Sequence, residues 1–121
     1  GHRYNLYKRT EPHAGFGMLL DLCRQMQEGY FVVTSNVDGH FQKAGFDPER
    51  IFEVHGSIHY WQCRRGCSGI WEADQELEVN EETFRAKEPL PRCPKCKGVA
   101  RPNILMFNDY GFDEERESQQ V

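Results

Sequence analysis

Four cysteines stand in two close pairs, and cysteines at such spacings commonly hold a metal ion. Three residues separate Cys63 from Cys67, two separate Cys93 from Cys96, and 25 residues lie between the pairs. Each pair can direct both sulfur atoms at one ion across a tight turn, and four thiolates complete a tetrahedral shell. The pattern predicts a structural Zn²⁺ site, because a catalytic zinc keeps one coordination position open.

Other interpretations of the cysteines fit the rest of the chain less well. A redox pair at Cys93 and Cys96 would stand alone at the start of a helix, with no second pair opposite it. His59 is the nearest rival ligand, but four sulfurs already fill the shell. The fifth cysteine, Cys23, makes the total odd, which argues against a disulfide framework. We therefore expect a reducing compartment and a cytoplasmic protein.

A second group with chemical potential consists of an amide, a carboxylate and an imidazole. Asn36 and Asp38 are two residues apart in a Thr-Ser-Asn-Val-Asp-Gly segment. They can hydrogen-bond a ribose, a carboxamide or an ordered water. His55 stands before Gly56 further along the chain. Each signal is weak alone, because Asn, Asp and Gly also form ordinary turns and a single histidine is often structural.

The elements that would position these groups alternate between helix and strand. We predict an amphipathic helix at 12–28, a buried strand of a parallel sheet at 30–34, a short helix at 40–44 and a second strand at 51–54. The apolar stripe of the first helix, with Cys23 predicted to be buried in it, consists of Phe16, Leu19, Leu20, Cys23 and Met26. The polar groups therefore follow strands of an α/β fold, at the edge where such sheets bind ligands.

Between the cysteine pairs the sequence is mostly polar. Residues 72–88 are rich in Glu, Asp, Asn and Thr, which predicts a solvated excursion from the metal site with one helical turn at 81–85. An apolar strand is predicted at 103–107, and a polar tail, helical or frayed, at 113–121.

Composition disfavours two classes of function. The 121 residues carry a net charge of −4, whereas general nucleic-acid binders present a basic surface. No apolar stretch approaches the roughly 18 residues that span a bilayer, and no signal peptide begins the chain. We expect no direct nucleic-acid binding and no membrane association.

Taken in order, four motifs closely resemble those of the Sir2 or sirtuin family of NAD-dependent protein deacylases. The resemblance covers about residues 10–110, nearly the whole chain. The motifs are Thr34–Gly39 followed by Ala44 and Gly45, then Glu53–Ser57, the two cysteine pairs, and Arg101–Phe107. Four ordered motifs form a far more specific signal than any one of them.

The resemblance implies a fold: a partial Rossmann-like parallel sheet with an inserted four-cysteine zinc-ribbon module. Residues 1–58 would belong to the Rossmann-like NAD-binding domain and residues 59–101 to the zinc-ribbon module. Residues 102–121 would be the return strand and tail of the Rossmann-like domain. NAD⁺ and an acylated lysine of a protein or peptide would meet between the two parts.

The resemblance also implies roles for the polar residues. His55 would be the catalytic base that accepts a proton from the nicotinamide-ribose hydroxyl. Asn36 would position the ribose or a water, and Asp38 would hold the nicotinamide carboxamide. Ser35 would contribute a shorter cofactor contact, because the family usually has Gln there.

Substrate contacts are implied for Ile104, Leu105 and Phe107, of which Phe107 would line the acyl-lysine tunnel. This chain departs from the family pattern at the end of that segment, where Asn108 and Asp109 replace the usual Gly-Glu. It also has His40-Phe41 where the family usually has Leu-His. These departures leave the preferred acyl group open.

The implied reaction is removal of acetyl or other acyl groups from protein lysines, with release of nicotinamide and O-acyl-ADP-ribose. Two alternatives remain: ADP-ribosyl transfer or NAD hydrolysis on the same fold, and a zinc-ribbon binding module without catalysis. The family's Gly-Ala-Gly phosphate-binding segment has no counterpart in these residues. We therefore expect the chain to be an incomplete piece of a catalytic domain that, alone, binds NAD poorly and turns over little or nothing.

Overall fold

Two small sheets and four helices make up the chain, and a computed structural model describes all residues from 1 to 121. The helices are α1 (His2–Arg9), α2 (Ala14–Arg24), α3 (His40–Lys43) and α4 (Glu115–Ser118), with a 3-10 turn at Pro48–Arg50. The strands are β1 (Val32–Thr34), β2 (Ile51–Glu53), β3 (Gly56–Cys63), β4 (Ile70–Glu72) and β5 (Ala100–Ile104). An α/β part therefore precedes an all-β part.

Strands β1 and β2 pair in parallel, with Val32 opposite Ile51. Parallel neighbours need a crossover connection, which α3 and the 3-10 turn provide. Leu20, Phe46 and Ile51 form a buried cluster that joins α2 to this sheet. Each such side chain contributes about 1.5–3 kcal/mol when buried. The predicted α/β class with a parallel sheet is confirmed.

Strand β3 is the centre of the second sheet, because β4 and β5 both pair with it in antiparallel fashion. Trp61 lies opposite Trp71 on one side and Pro102 on the other. It is buried with Tyr4 and Ile58. Since β3 begins directly after β2 and ends at Cys63, it connects the α/β part to the first cysteine pair.

Helix α1 was not among the predicted elements, yet it fixes the polar stretch between the cysteine pairs. The Tyr4 hydroxyl donates hydrogen bonds to the carbonyls of Ala73 and Gln75 at 3.1 and 2.7 Å, and Asn5 Nδ2 donates to Leu77 O at 2.6 Å. Residues 72–88 are mostly exposed, as predicted, but α1 anchors them at Ala73, Gln75 and Leu77. Residues 81–83 form a turn, and the helical turn predicted at 81–85 is absent. Charged residues interrupt the apolar pattern of α1, so periodicity does not reveal it.

Helix α2 is shorter than predicted, and its apolar stripe is only partly covered. His13 caps the start of the helix by accepting a hydrogen bond from Gly15 N at 3.0 Å on its Nδ1. Leu20 is buried, but Leu19 is 51% and Met26 49% exposed. Cys23 is half-buried against the Leu20 cluster rather than buried.

The last strand and the tail also differ from prediction. Strand β5 ends at Ile104, so Leu105 and Phe107 lie in the irregular segment that follows it. The tail forms α4, which is docked through side-chain contacts described below. No helix has the length and apolar character needed to cross a membrane.

Candidate active site and metal centre

The four paired cysteines converge, with all four Sγ atoms within 4.8 Å of one another. Cys63 and Cys93 are buried, whereas Cys67 and Cys96 are half-buried. Zn–S bonds of about 2.3 Å in a tetrahedron place sulfur atoms about 3.8 Å apart. The separation of the Cys63 and Cys96 Sγ atoms is 3.6 Å, close to that spacing. The four sulfurs fit a structural Zn²⁺.

Backbone N–H groups at the two cysteine turns point at sulfur. The N–H of Arg65 donates to Cys63 Sγ at 3.2 Å, and the N–H of Gly98 donates to Cys96 Sγ at 3.4 Å. These bonds stabilise thiolates, which is how a tetrathiolate site moderates its negative charge. Gly66 adopts φ +88°, a left-handed conformation that the first turn requires.

The thiols of the cluster differ in acidity before a metal binds. Backbone hydrogen bonds, first from Cys67 and then from Arg65, lower the pKa of Cys63 to about 6. Hydrogen bonds with the side chains of Cys96 and Cys63 raise the pKa of Cys67 to about 12. Zinc binds thiolates, so binding near neutral pH must displace a proton from Cys67.

Two backbone hydrogen bonds tie the Ser35–Gly39 loop to the segment that carries His55. Val54 N donates to Thr34 O at 3.0 Å, and Ile58 N donates to Val37 O at 2.8 Å. Ser35, Asn36 and His55 are exposed at this junction, which follows the ends of β1 and β2. The structure therefore brings the predicted cofactor loop beside the predicted base.

Asp38 is half-buried within the same loop and already has hydrogen-bond partners. Its Oδ1 accepts from His40 N at 3.0 Å, while its Oδ2 lies 3.7 Å from His40 Nδ1. The carboxylate thus forms an Asx turn with the first residue of α3, which fixes its position relative to the loop backbone.

The residue after His55 must be glycine. Gly56 has φ +80°, and a Cβ there would lie 2.0 Å from the carbonyl oxygen of Asn103. This close approach lets β5 run directly beside β3 at its first residue. Leu105 N then donates to His55 O at 3.0 Å. His55 therefore lies between the Ser35–Gly39 loop and the segment that follows β5.

That segment exposes apolar side chains around a fixed turn. Leu105 is 40% exposed and Phe107 fully exposed, whereas Ile104 is half-buried. The Arg101 guanidinium pairs with both carboxylate oxygens of Asp109, and its NH2 group also donates to Ile104 O at 2.8 Å. The hydrogen bond from Arg101 holds the pKa of Asp109 well below its usual range.

A further ion pair at this junction was not predicted from the sequence. Glu53, buried to 1% exposure, accepts a hydrogen bond from Arg116 at 2.7 Å on its Oε1. Gln120 both accepts from Glu53 N at 3.0 Å and donates to Glu53 Oε1 at 3.2 Å. The Arg116 guanidinium lies 3.9 Å above the Tyr60 ring. This ion pair docks α4 at Glu53, two residues before His55. In the sequence, the only sign of the ion pair is an acidic residue within an apolar strand.

Comparison with known proteins identifies the class of this chain. The profile of the Sir2 family matches residues 2–118, and the chain belongs to that family. The resemblance seen in the sequence, and the Rossmann-like fold with a zinc module that it implied, are thus confirmed.

Curated relatives carry consistent names. The chain is 35% identical over 111 residues to "NAD-dependent protein deacetylase 2" of Caldanaerobacter subterraneus subsp. tengcongensis, covering 88% of this chain and 40% of that protein. It is 33% identical over 99 residues to "NAD-dependent protein deacylase 2" of Pseudomonas syringae pv. tomato, covering 82% and 36%. The chain therefore spans about two fifths of the length of these relatives.

Solved structures share the fold. A Sir2 homologue in complex with NAD aligns with a TM-score of 0.65 at 23% identity, covering 85% of this chain and 36% of that chain. Sir2 bound to an acetylated peptide aligns with a TM-score of 0.61 at 23% identity, covering 85% and 40%.

Proposed function

We propose that these residues form the catalytic-loop and zinc-bearing part of an NAD-dependent protein deacylase. Family membership and the names of the relatives support an NAD-dependent deacylation. Acylated lysine in a protein or peptide is the proposed substrate. The observation that carries the proposal is the place of His55, exposed between the Ser35–Gly39 loop and the segment after β5.

When bound, NAD⁺ would supply a ribose carbon that loses nicotinamide and takes up the acyl oxygen. His55 would accept the proton of the ribose hydroxyl, a task for which imidazole is the suited side chain near neutral pH. Asn36 would hold the ribose or a water, and Ser35 would add a shorter contact. Asp38 would accept hydrogen bonds from the carboxamide.

The exposed segment after β5 supports the proposed substrate site. Leu105, Met106 and Phe107 are exposed directly after β5 and lie outside both sheets. An extended peptide can add as a strand beside an exposed segment of this kind. We propose that Ile104 and Leu105 lie along the peptide and that the exposed Phe107 contacts the acyl-lysine.

Zinc would act as a brace rather than as a reactant. Cys63 is the last residue of β3, and Arg64 N donates to Val99 O at 3.1 Å directly before β5. A filled tetrathiolate shell fixes the ends of both strands, which carry the proposed active-site segments at their other ends. The proposed units 1–58, 59–101 and 102–121 are joined by β3 and β5, which run through the two boundaries.

Charge and cysteine content support the remaining proposals. A net charge of −4 supports the absence of direct nucleic-acid binding. A zinc site built from free thiols supports a reducing, cytoplasmic location.

The test is a His55→Gln variant in a complete Sir2 domain containing these residues. We expect loss of both nicotinamide release and lysine deacylation by about 100-fold or more, which is the range of general base catalysis. His2→Gln is the matched control, because His2 lies on α1 and packs against Phe84. It should retain both activities.

The same experiment separates the alternatives. Nicotinamide release without deacylation by the unaltered domain would favour ADP-ribosyl transfer or NAD hydrolysis. Peptide binding without any chemistry would favour a zinc-ribbon binding module. Full activity of His55→Gln would contradict the proposed role of His55.

A further inference from the structure

His59 contacts the cofactor loop from the zinc-bearing sheet. Its Nε2 lies 2.7 Å from the backbone oxygen of Asp38. His59 is the fourth residue of β3, whose far end is Cys63. The contact therefore joins the sheet that ends in the metal site to the loop that carries the proposed carboxamide ligand.

The partner atom determines the state of the imidazole. A carbonyl oxygen can only accept a hydrogen bond, so His59 Nε2 carries the hydrogen. The backbone of His59 is also held: its N–H donates to Ser57 Oγ at 3.2 Å, and its carbonyl accepts from Ala73 N at 2.8 Å. His59 lies where the register of β3 with β5 shifts, between Ser57 and Trp61, and these two bonds hold its backbone there.

The ring also fills the space beside a glycine of the loop. Gly39 is buried and has φ +68°, and a Cβ built on it would lie 2.6 Å from His59 Cδ2. The loop backbone therefore packs directly on the imidazole. Hydrogen bond and packing together fix the peptide groups of Asp38 and Gly39 against β3.

We propose that His59 is a positioning residue that sets the place of Asp38 for the nicotinamide carboxamide, an inference that rests on the proposed function. His59 touches neither NAD⁺ nor the acyl-lysine in this assignment; it acts through the Asp38 carbonyl. Without the donor, the loop is still held by three bonds: from His40 N to the Asp38 carboxylate, from Ile58 N to Val37 O, and from Lys43 N to Gly39 O. None of these three bonds holds the Asp38 carbonyl.

Two variants separate the hydrogen bond from the packing. His59→Phe keeps a ring against Gly39 but removes the donor, whereas His59→Gln supplies an amide N–H and removes the ring. In a complete Sir2 domain, we expect His59→Phe to raise the KM for NAD⁺ about tenfold, as for loss of one buried hydrogen bond. The KM for the acylated peptide should stay within about twofold, and His59→Gln should recover most of the NAD⁺ KM.

Nuclear magnetic resonance of the zinc-loaded chain gives a readout that needs no activity. The ¹⁵N shifts of His59 should show the Nε2–H form, and His59→Phe should shift the Asp38 and Gly39 amides more than His59→Gln does. A Nδ1–H form, or an unchanged NAD⁺ KM in His59→Phe, would overturn the inference. A raised NAD⁺ KM in His59→Gln with none in His59→Phe would assign the effect to packing of the ring and overturn the inference as well.

The two proposals fail in different ways. If the unaltered domain releases no nicotinamide, the proposed function fails. The ¹⁵N and amide shifts then still show whether His59 donates a hydrogen bond to the Asp38 carbonyl. If the unaltered domain is active and His59→Phe matches it in NAD⁺ KM, the function stands and the positioning role fails.

Discussion

Asp109 is the centre of the turn that follows β5. Besides its pair with Arg101, its Oδ2 accepts from Met106 N at 3.2 Å and its Oδ1 from Gly111 N at 3.0 Å. All of these bonds favour the charged carboxylate, so they depress its pKa, with the bond from Arg101 as the largest cause. The turn that presents Phe107 therefore depends on one ionised side chain.

This dependence predicts a pH effect on stability. A depressed folded-state pKa stabilises the fold above the ordinary pKa of Asp, about 3.9, and the contribution is lost as pH falls below it. We expect Asp109→Asn to lower the urea midpoint most near pH 7, and the difference from the unaltered chain to shrink below about pH 4. Urea unfolding curves of both proteins, recorded from pH 7 to below about pH 4, measure this difference.

Glu81→Gln is the control for this effect, because Glu81 is exposed and forms no ion pair. Its effect on the urea midpoint should be small. A destabilisation by Asp109→Asn that stays constant from neutral to acidic pH would show that the charge of Asp109 contributes nothing.

Sequence patterns identified the residues that act together with near neighbours in the chain. Cysteine spacing within a turn of three or four residues is a local property, and the structure brings all four sulfurs together. Arg116 and Glu53 are 63 positions apart, and His59 and Asp38 are 21 apart. No period or spacing relates such residues, because their contact follows from how β2, β3 and α4 pack.

At the level of elements, β3 connects the metal site to the proposed active site. It pairs with both β4 and β5, contacts the Ser35–Gly39 loop through His59 and ends at Cys63. No strand is predicted at 56–63, because apolar and polar residues alternate only loosely over 57–62. The strand depends on pairing partners on both sides, which lie up to 48 residues away in the sequence.

Removing zinc should therefore disorder the β3 sheet first. Structural zinc sites contribute about 10–16 kcal/mol of apparent binding energy in small peptides, as much as the whole net stability of a typical domain, about 5–15 kcal/mol. Trp61 is buried in this sheet and Trp71 is half-buried, so a strong chelator should shift tryptophan emission to longer wavelength. The shift is measured by recording tryptophan fluorescence while Zn²⁺ is chelated and then added back.

Cysteine variants provide the matched comparison. Cys96→Ser removes a ligand and should abolish stoichiometric zinc, whereas Cys23→Ser alters a thiol outside the cluster and should keep it. Unchanged emission in zinc-free protein would contradict the bracing role of the metal.

At the level of the whole molecule, the α/β part has two features of an incomplete NAD⁺ site. Its parallel sheet has two strands, and apolar side chains on and beside it are exposed: Val33 is 65% and Met18 72% exposed. The residues proposed to contact NAD⁺ reach only its nicotinamide ribose and carboxamide. No Gly-rich strand-loop-helix, whose helix N-terminus would bind the phosphates, occurs in these residues.

We therefore expect residues 1–121 alone to bind NAD⁺ weakly, with a Kd of about 1 mM or above, equivalent to about 4 kcal/mol or less. Phosphate contacts supply much of the affinity for a dinucleotide, and this chain offers none of the backbone N–H cradle that makes them. Calorimetric titration of NAD⁺ into the zinc-loaded chain measures it, with Asp38→Ala as the companion variant. Micromolar binding that Asp38→Ala abolishes would show that the Ser35–Gly39 loop suffices to hold NAD⁺ without a phosphate cradle, because the affinity would then come from the carboxamide end.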